Sequence, residues 1–135
     1  MSDLLSASSL LLAILTTLFS TYYSSIIEVL NLEPNNFKED DKNNYTLAKS
    51  VLKTKLTPLL IAGVSITVIF IPQSVKIIKT SIEYFTSLEY KNLSYDTIST
   101  SYVAVTIFMF ILTVNILVLF FKVISKMKNI NPKRT

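Results

Sequence analysis

The sequence predicts an all-α integral membrane protein with three transmembrane helices, and two observations carry that prediction. First, residues 4–27, 56–75 and 97–121 contain no Asp, Glu, Lys or Arg and are rich in Leu, Ile, Val, Phe and Thr. Each run has at least 20 residues. Twenty helical residues, at about 1.5 Å each, cover the roughly 30 Å hydrocarbon core of a bilayer. Second, the alternatives lack their signatures. A soluble bundle needs charged stripes on its outer helix faces, and the runs have none. An outer-membrane barrel needs many alternating strands joined by turns, and the chain has one Gly.

The expected arrangement is one membrane domain over 1–135, with helices near 4–30, 56–80 and 99–125. A loop over 31–55 and a basic tail over 126–135 lie on one side. The first run starts Met1-Ser2-Asp3 with no basic residue and ends Tyr22-Tyr23-Ser24-Ser25-Ile26-Ile27, with no small-residue cleavage site. It therefore reads as a retained helix and not as a signal peptide.

Residues 33–44 are polar and turn-prone, with Glu39, Asp40 and Asp41 forming an acidic cluster. The cluster lacks the alternating spacing and glycine of a calcium loop, so this stretch reads as a solvated loop. A short amphipathic helix is expected over 45–56. Leu47, Val51 and Leu52 share one side and Lys49 and Lys53 another, which suits an interfacial helix. Pro58 fits the first turn of the second helix. Pro72 frees a backbone carbonyl one turn earlier and predicts a kink. Ile78, Ile82 and Phe85 at helical spacing point to this helix continuing past the membrane edge.

The second loop is aromatic, and Tyr84, Phe85, Tyr90, Tyr95 and Tyr102 suit an interface belt. Asn44-Tyr45-Thr46 and Asn92-Leu93-Ser94 match the glycosylation pattern.

Charge sets the expected orientation. The first loop holds five basic residues (Lys38, Lys42, Lys49, Lys53, Lys55) and the tail five (Lys122, Lys126, Lys128, Lys133, Arg134). The second loop holds three: Lys76, Lys79 and Lys91. Ten against three makes the first side cytoplasmic, with the N-terminus outside. Lys76 and Lys79, directly at the outer end of the second helix, run against the rule. Lys49, Lys53, Lys55 and the five tail residues are read as lipid-headgroup anchors, at about 1 kcal/mol each beside an anionic leaflet. The basic residues border the apolar runs, so the net charge of +4 points to the lipid bilayer and not to nucleic acid. A bacterial inner membrane or a plasma membrane fits this layout.

Within the runs, small and polar residues mark the candidate packing seam. At 100° per residue, Ser6, Ser9, Ala13, Thr16, Thr17, Ser20 and Ser24 share an arc of about 100° with Ser2. Leu11, Leu15, Leu18, Tyr22 and Val29 lie opposite. Hydrocarbon gives no hydrophobic reward for helix association, so small residues and hydroxyls are the natural protein-facing groups. The seam is therefore expected to face protein and the Leu side acyl chains. The second helix offers a related face with Ala62, Ser65 and Gln73. The third has one deep amide, Asn115, sharing a face with Ser101, Ala104, Phe108, Ile111 and Leu119. Asn115 is expected to bond to the hydroxyls of the first helix.

The chain has no Cys and no His, which removes thiol nucleophiles, Cys/His zinc sites and imidazole catalysis. No cofactor is expected. No run contains an ionisable group of the kind that proton relays and ion pathways use. Three helices cannot supply the inverted repeats of a transporter. An enzyme built on Ser74 with Lys76 or Lys79 is the one catalytic arrangement conceivable, and the expectation is no enzyme.

The leading reading is a small accessory subunit that packs against another membrane protein. The alternative is a homo-oligomeric, pore-forming protein made of copies of itself. Three spans with an outside N-terminus and a basic tail resemble the layout of one class of phage holins. The resemblance is one of layout, with no shared motif.

Overall fold

The computed structural model of the chain describes residues 1–34, 38–86 and 96–131. Its elements are α1 (Ser2–Leu30), α2 (Lys38–Val51), a π-helical turn (Leu52–Leu56), α3 (Thr57–Thr86) and α4 (Thr97–Ile130). Among the described residues there is no strand. Three helical stretches are long and apolar enough to cross a membrane: Ser2–Leu30, Glu39–Thr86 and Thr97–Ile130. Lys133, Arg134, Lys91, Tyr90, Tyr95 and the Asn92-Leu93-Ser94 pattern lie outside the described residues.

The expected short helix is present, and it differs from the sequence reading in two ways. It begins at Lys38, so much of the supposed solvated loop is helical. Glu39, Asp40 and Asp41 occupy its first turn, where negative charge favours the exposed amides and positive dipole end of a helix. Its apolar side also joins the core of the bundle. It runs straight into α3 and packs against the ends of α1 and α4. Ala48 and Val51 join Ile26, Val29 and Val123 in the core, while Leu47 is exposed.

The π turn explains how α2 and α3 present a common buried side. The Thr57 amide and the Thr57 hydroxyl both donate to the Leu52 carbonyl, the hydroxyl at 2.8 Å. After Ala48 and Val51, an unbroken α-helix would next turn Lys55 inward. The extra residue puts Leu56 there instead, followed by Leu59 and Gly63.

Two apolar clusters form the core. One holds Leu15, Ile26, Val29, Leu56, Leu59, Ile116 and Val123; the other holds Phe70, Tyr102 and Met109. The Phe70 and Tyr102 rings meet edge-on at 5.9 Å. Between the clusters lies a polar layer in which Thr67 and Thr113 hydroxyls approach to 3.0 Å. Gly63 makes this approach possible, because a Cβ there would stand 3.1 Å from Thr113 Oγ1. α4 packs on both α1 and α3, which contact each other less.

The buried residues of α4 are Tyr102, Thr106, Met109, Thr113, Ile116, Val123 and Ile130. Their steps of four, three or seven are the spacing of left-handed helix packing.

Asp96 caps α4. Its carboxylate accepts from the Ile98 amide at 3.0 Å and from the Ser99 hydroxyl. The Ser99 hydroxyl first, then the Ser99 and Ile98 amides, hold its carboxyl below the usual carboxylate range. A lowered folded-state value means that the cap contributes above the ordinary Asp range and is lost as pH falls through the lowered value. Hydrogen exchange of the Ile98–Thr100 amides should therefore quicken with acid beyond its intrinsic pH trend. Asp96→Asn should abolish that extra acid dependence.

Candidate functional site

Burial within the bundle reverses the expected facing of α1. Leu15, Ile26 and Val29 are buried and Tyr22 is half-buried, so the side assigned to acyl chains is the one that meets α3 and α4. Ser6, Ser9, Ala13, Thr16, Thr17, Ser20 and Ser24 are all exposed. The physical reason is that Leu and hydroxyl faces compete on nearly equal terms in hydrocarbon, and shape then decides. Leu15 reaches to 3.7 Å from the Cβ position of Gly63. A serine or alanine in its place would leave that gap open.

The exposed face is continuous. Ser9, Leu12, Ala13, Thr16, Thr17, Ser20 and Thr21 line an open groove of about 620 Å³ closed on one side by Val105 of α4. Thr16, Thr17 and Thr21 donate to the carbonyls of Leu12, Ala13 and Thr17, at 2.8, 2.8 and 2.9 Å. Their protons are thus spent within the helix, and the oxygen lone pairs remain as acceptors. The groove presents a smooth, small-residue surface that another helix can approach closely.

The other predicted seam residues are not gathered there. Ala62 is half-buried against the core, and Ser65 is exposed on α3. Gln73 donates to Met1 Sδ at 3.7 Å, which ties α3 to the start of α1. Asn115 does not bond to α1. It is exposed, and its Nδ2 donates to the Ile111 carbonyl at 3.0 Å within its own helix. Thr113 and Ile116 take the inward positions of that turn, which leaves Asn115 facing out.

Among the lysines, Lys49, Lys53, Lys122 and Lys128 are exposed and Lys126 is half-buried. Lys55 departs from the headgroup-anchor reading. Its ammonium donates to Ser25 Oγ at 2.6 Å and lies 5.8 Å from the Tyr22 ring centroid. The π turn causes this by rotating Lys55 out of the core and onto the flank of α1. Ser74 is buried and donates to Thr106 Oγ1 at 2.8 Å, while Lys76 and Lys79 are exposed. The serine is turned into the bundle and the two lysines are turned out of it.

The small and polar residues buried in the bundle are Ser8, Gly63, Thr67, Ser74, Thr106 and Thr113, none of which belongs to the seam expected from the sequence. Ser74 donates to Thr106, and Thr106 donates to the Tyr102 carbonyl at 2.9 Å, a consistent relay. At the other layer, Thr67 approaches the Gly63 carbonyl at 2.7 Å and Thr113 the Met109 carbonyl at 2.9 Å. Two hydroxyl protons serve those two contacts and the one between the threonines, so one threonine gives up its own carbonyl when it donates across.

Comparison of the chain with protein-family profiles, curated proteins and solved structures found no match.

Proposed function

We propose that this chain is a small, non-catalytic membrane subunit that docks onto the helices of another membrane protein through the hydroxyl face of α1. What carries the reading is that the face is left open while the opposite, leucine side of the same helix is used for the chain's own core. A soluble protein would tolerate exposed serines as ordinary surface. In a bilayer, a continuous small-residue groove offers backbone approach and acceptor oxygens to a neighbouring helix, which lipid cannot use as well. Asn115 adds to this. An amide facing acyl chains with a single bond to its own helix is better placed against protein. In this reading the N-terminus lies outside and the basic tail inside, on the distribution of lysines. The absence of His and Cys from the sequence supports a role without chemistry.

The test is extraction in mild detergent, affinity capture and mass measurement of the intact complex. The expected result is a second membrane protein at fixed ratio, lost when Ser9, Ala13, Thr17 and Ser20 are changed to Leu. Recovery of free monomer under every gentle condition would sink the proposal. The pore reading draws on the same groove as a water-lined wall, and it makes a different prediction. Induced expression should then depolarise cells, with the four leucines abolishing the effect. The carbonyl-bonded threonines favour docking over a wet wall, since their protons are not offered to water.

A further inference from the structure

Two polar side chains of the bundle face lipid at one depth, on opposite flanks of the molecule. α3 and α4 run antiparallel, with Thr67 beside Thr113 and Ser74 beside Thr106. The same register sets Ser65 level with Asn115, Ile69 with Ile111 and Pro72 with Phe108. All six of these residues are exposed. Two residues turn a helix by about 200°, so Ser65, two before the inward Thr67, points away from α4. Asn115, two after the inward Thr113, points away from α3 for the same reason. Both lie in hydrocarbon. Ser65 is ten residues from Lys55 and eleven from Lys76, and Asn115 is seven from Lys122. The shortest of these separations is roughly 10 Å at 1.5 Å per residue, beyond the reach of an amide side chain.

Neither flank is satisfied within the chain. Asn115 gives one Nδ2 hydrogen to the Ile111 carbonyl, which leaves its second hydrogen and Oδ1. Ser65 makes no hydrogen bond among the described residues. Beside it, Val68 is 61% exposed, and Pro72 has no amide hydrogen to give to the Val68 carbonyl. One flank therefore offers a hydroxyl and a free carbonyl, and the other an amide oxygen and an N–H. Acyl chains can bond to none of them.

We infer that a further copy of the chain covers each flank, the Asn115 face of α4 in one copy seating on the Ser65 face of α3 in the next. Copies inserted in one orientation hold both faces at the same depth, so no shift is needed to bring them level. The Ser65 hydroxyl donates to Asn115 Oδ1. Nδ2 is drawn toward the N-terminal end of α4 by its bond to Ile111, and the Val68 carbonyl lies on that side of Ser65 to accept the second hydrogen. Ile69 then meets Ile111, and Pro72 meets Phe108, so apolar layers follow the polar one. A symmetric Asn115–Asn115 contact would satisfy the amides alone and leave Ser65 and Val68 bare. The Ser65 pairing serves both flanks and repeats the antiparallel α3–α4 packing of the bundle itself. It is heterologous, so each added copy leaves one flank of each kind open until a ring closes. The α1 groove takes no part in it.

The sequence has no cysteine, so the pairing can be read from disulfides between two differently tagged forms expressed together. Ile69→Cys in one form and Ile111→Cys in the other should crosslink in native membranes under oxidation, and neither should crosslink when expressed alone. Ile71→Cys, about 160° round α3 from Ile69, should give about tenfold less product with Ile111→Cys. Asn115→Leu should lower the Ile69–Ile111 yield by about threefold to tenfold, the range of a polar contact in a membrane, with gel filtration confirming that the variant is folded. A chain carrying both cysteines should form a ladder of three and more copies. Crosslinking of Ile111→Cys alone would overturn the inference in favour of a symmetric α4–α4 contact. A mixed sample without product would overturn it too, whether the thiols alkylate freely or are shielded by another protein, and so would a yield indifferent to Asn115→Leu. Leucines in the α1 groove should leave the crosslink unchanged, so docking and self-association are tested separately.

Discussion

Replacing Gly63 with leucine should prevent the bundle from closing, whereas alanine at the same position should be nearly neutral. The space beside Gly63 is already filled, with Thr113 Oγ1 at 3.1 Å, Thr113 Cγ2 at 3.5 Å and Leu15 Cδ2 at 3.7 Å from an ideal Cβ. A methyl group there asks Thr113 to move by a few tenths of an ångström. Against that stands the gain of about 1 kcal/mol from removing glycine from a helix interior. The two nearly cancel. Leucine adds three further carbons to an occupied site, so α3 and α4 must separate. Separation also breaks the Thr67–Thr113 contact at 3.0 Å and the Ser74–Thr106 bond at 2.8 Å, so hydroxyls there lose their cross-helix partners. Overpacking alone costs about 1–3 kcal/mol, and the broken polar contacts add to it. Thermal unfolding in mild detergent, followed by gel filtration, measures the difference. A leucine variant with the thermal stability of the parent would show that α3 and α4 do not meet at Gly63.

How much of this was legible in the sequence depends on the link in question. The existence of the helices was, because uncharged length has a direct physical meaning in a bilayer. The extension of α3 to Thr86 was too, in the spacing of Ile78, Ile82 and Phe85. The facing of the helices was not. In water, polarity sorts the inside from the outside of a helix; in hydrocarbon, a leucine gains little by leaving lipid for protein. Expecting the leucine side of α1 to meet acyl chains therefore rests on a preference too weak to decide.

The stronger signal was period. Ser8, Leu15, Tyr22 and Val29 on α1 recur every seven residues, and three of the four are buried. Tyr102, Thr106, Met109, Thr113 and Ile116 on α4 alternate steps of four and three. On helices that are apolar all round, that repeat is hard to see among many equivalent stripes. The sole glycine was the second signal. It marks where two helices come closest, and the inward threonines follow from it. The π turn left no such mark, and with it the capture of Lys55 by Ser25 stayed hidden.

The reversed facing of α1 yields a sharp comparison between two leucines that the sequence treats alike. Leu15→Ala should destabilise the bundle, and Leu18→Ala should leave it almost unchanged. Leu15 is 1% exposed and packs toward Gly63; Leu18 is 39% exposed and faces the surroundings. Leu→Ala in a water-soluble core costs roughly 2–5 kcal/mol, part of it from transfer out of water and part from the cavity left behind. In a bilayer the transfer part largely vanishes, because acyl chains are as apolar as the protein interior. The cavity part remains, so about 2 kcal/mol is the expected loss at Leu15. At Leu18, lipid fills the space that the side chain vacates, and no cavity forms. Leucine substitutions at Ser9 and Thr17 complete the comparison. They should leave thermal stability intact while removing partner capture, since those positions are exposed and line the open groove. A Leu18→Ala loss equal to or larger than that of Leu15→Ala would mean that α1 turns its hydroxyls inward in the membrane. The groove would then be the chain's own seam, and the docking surface would have to be sought elsewhere.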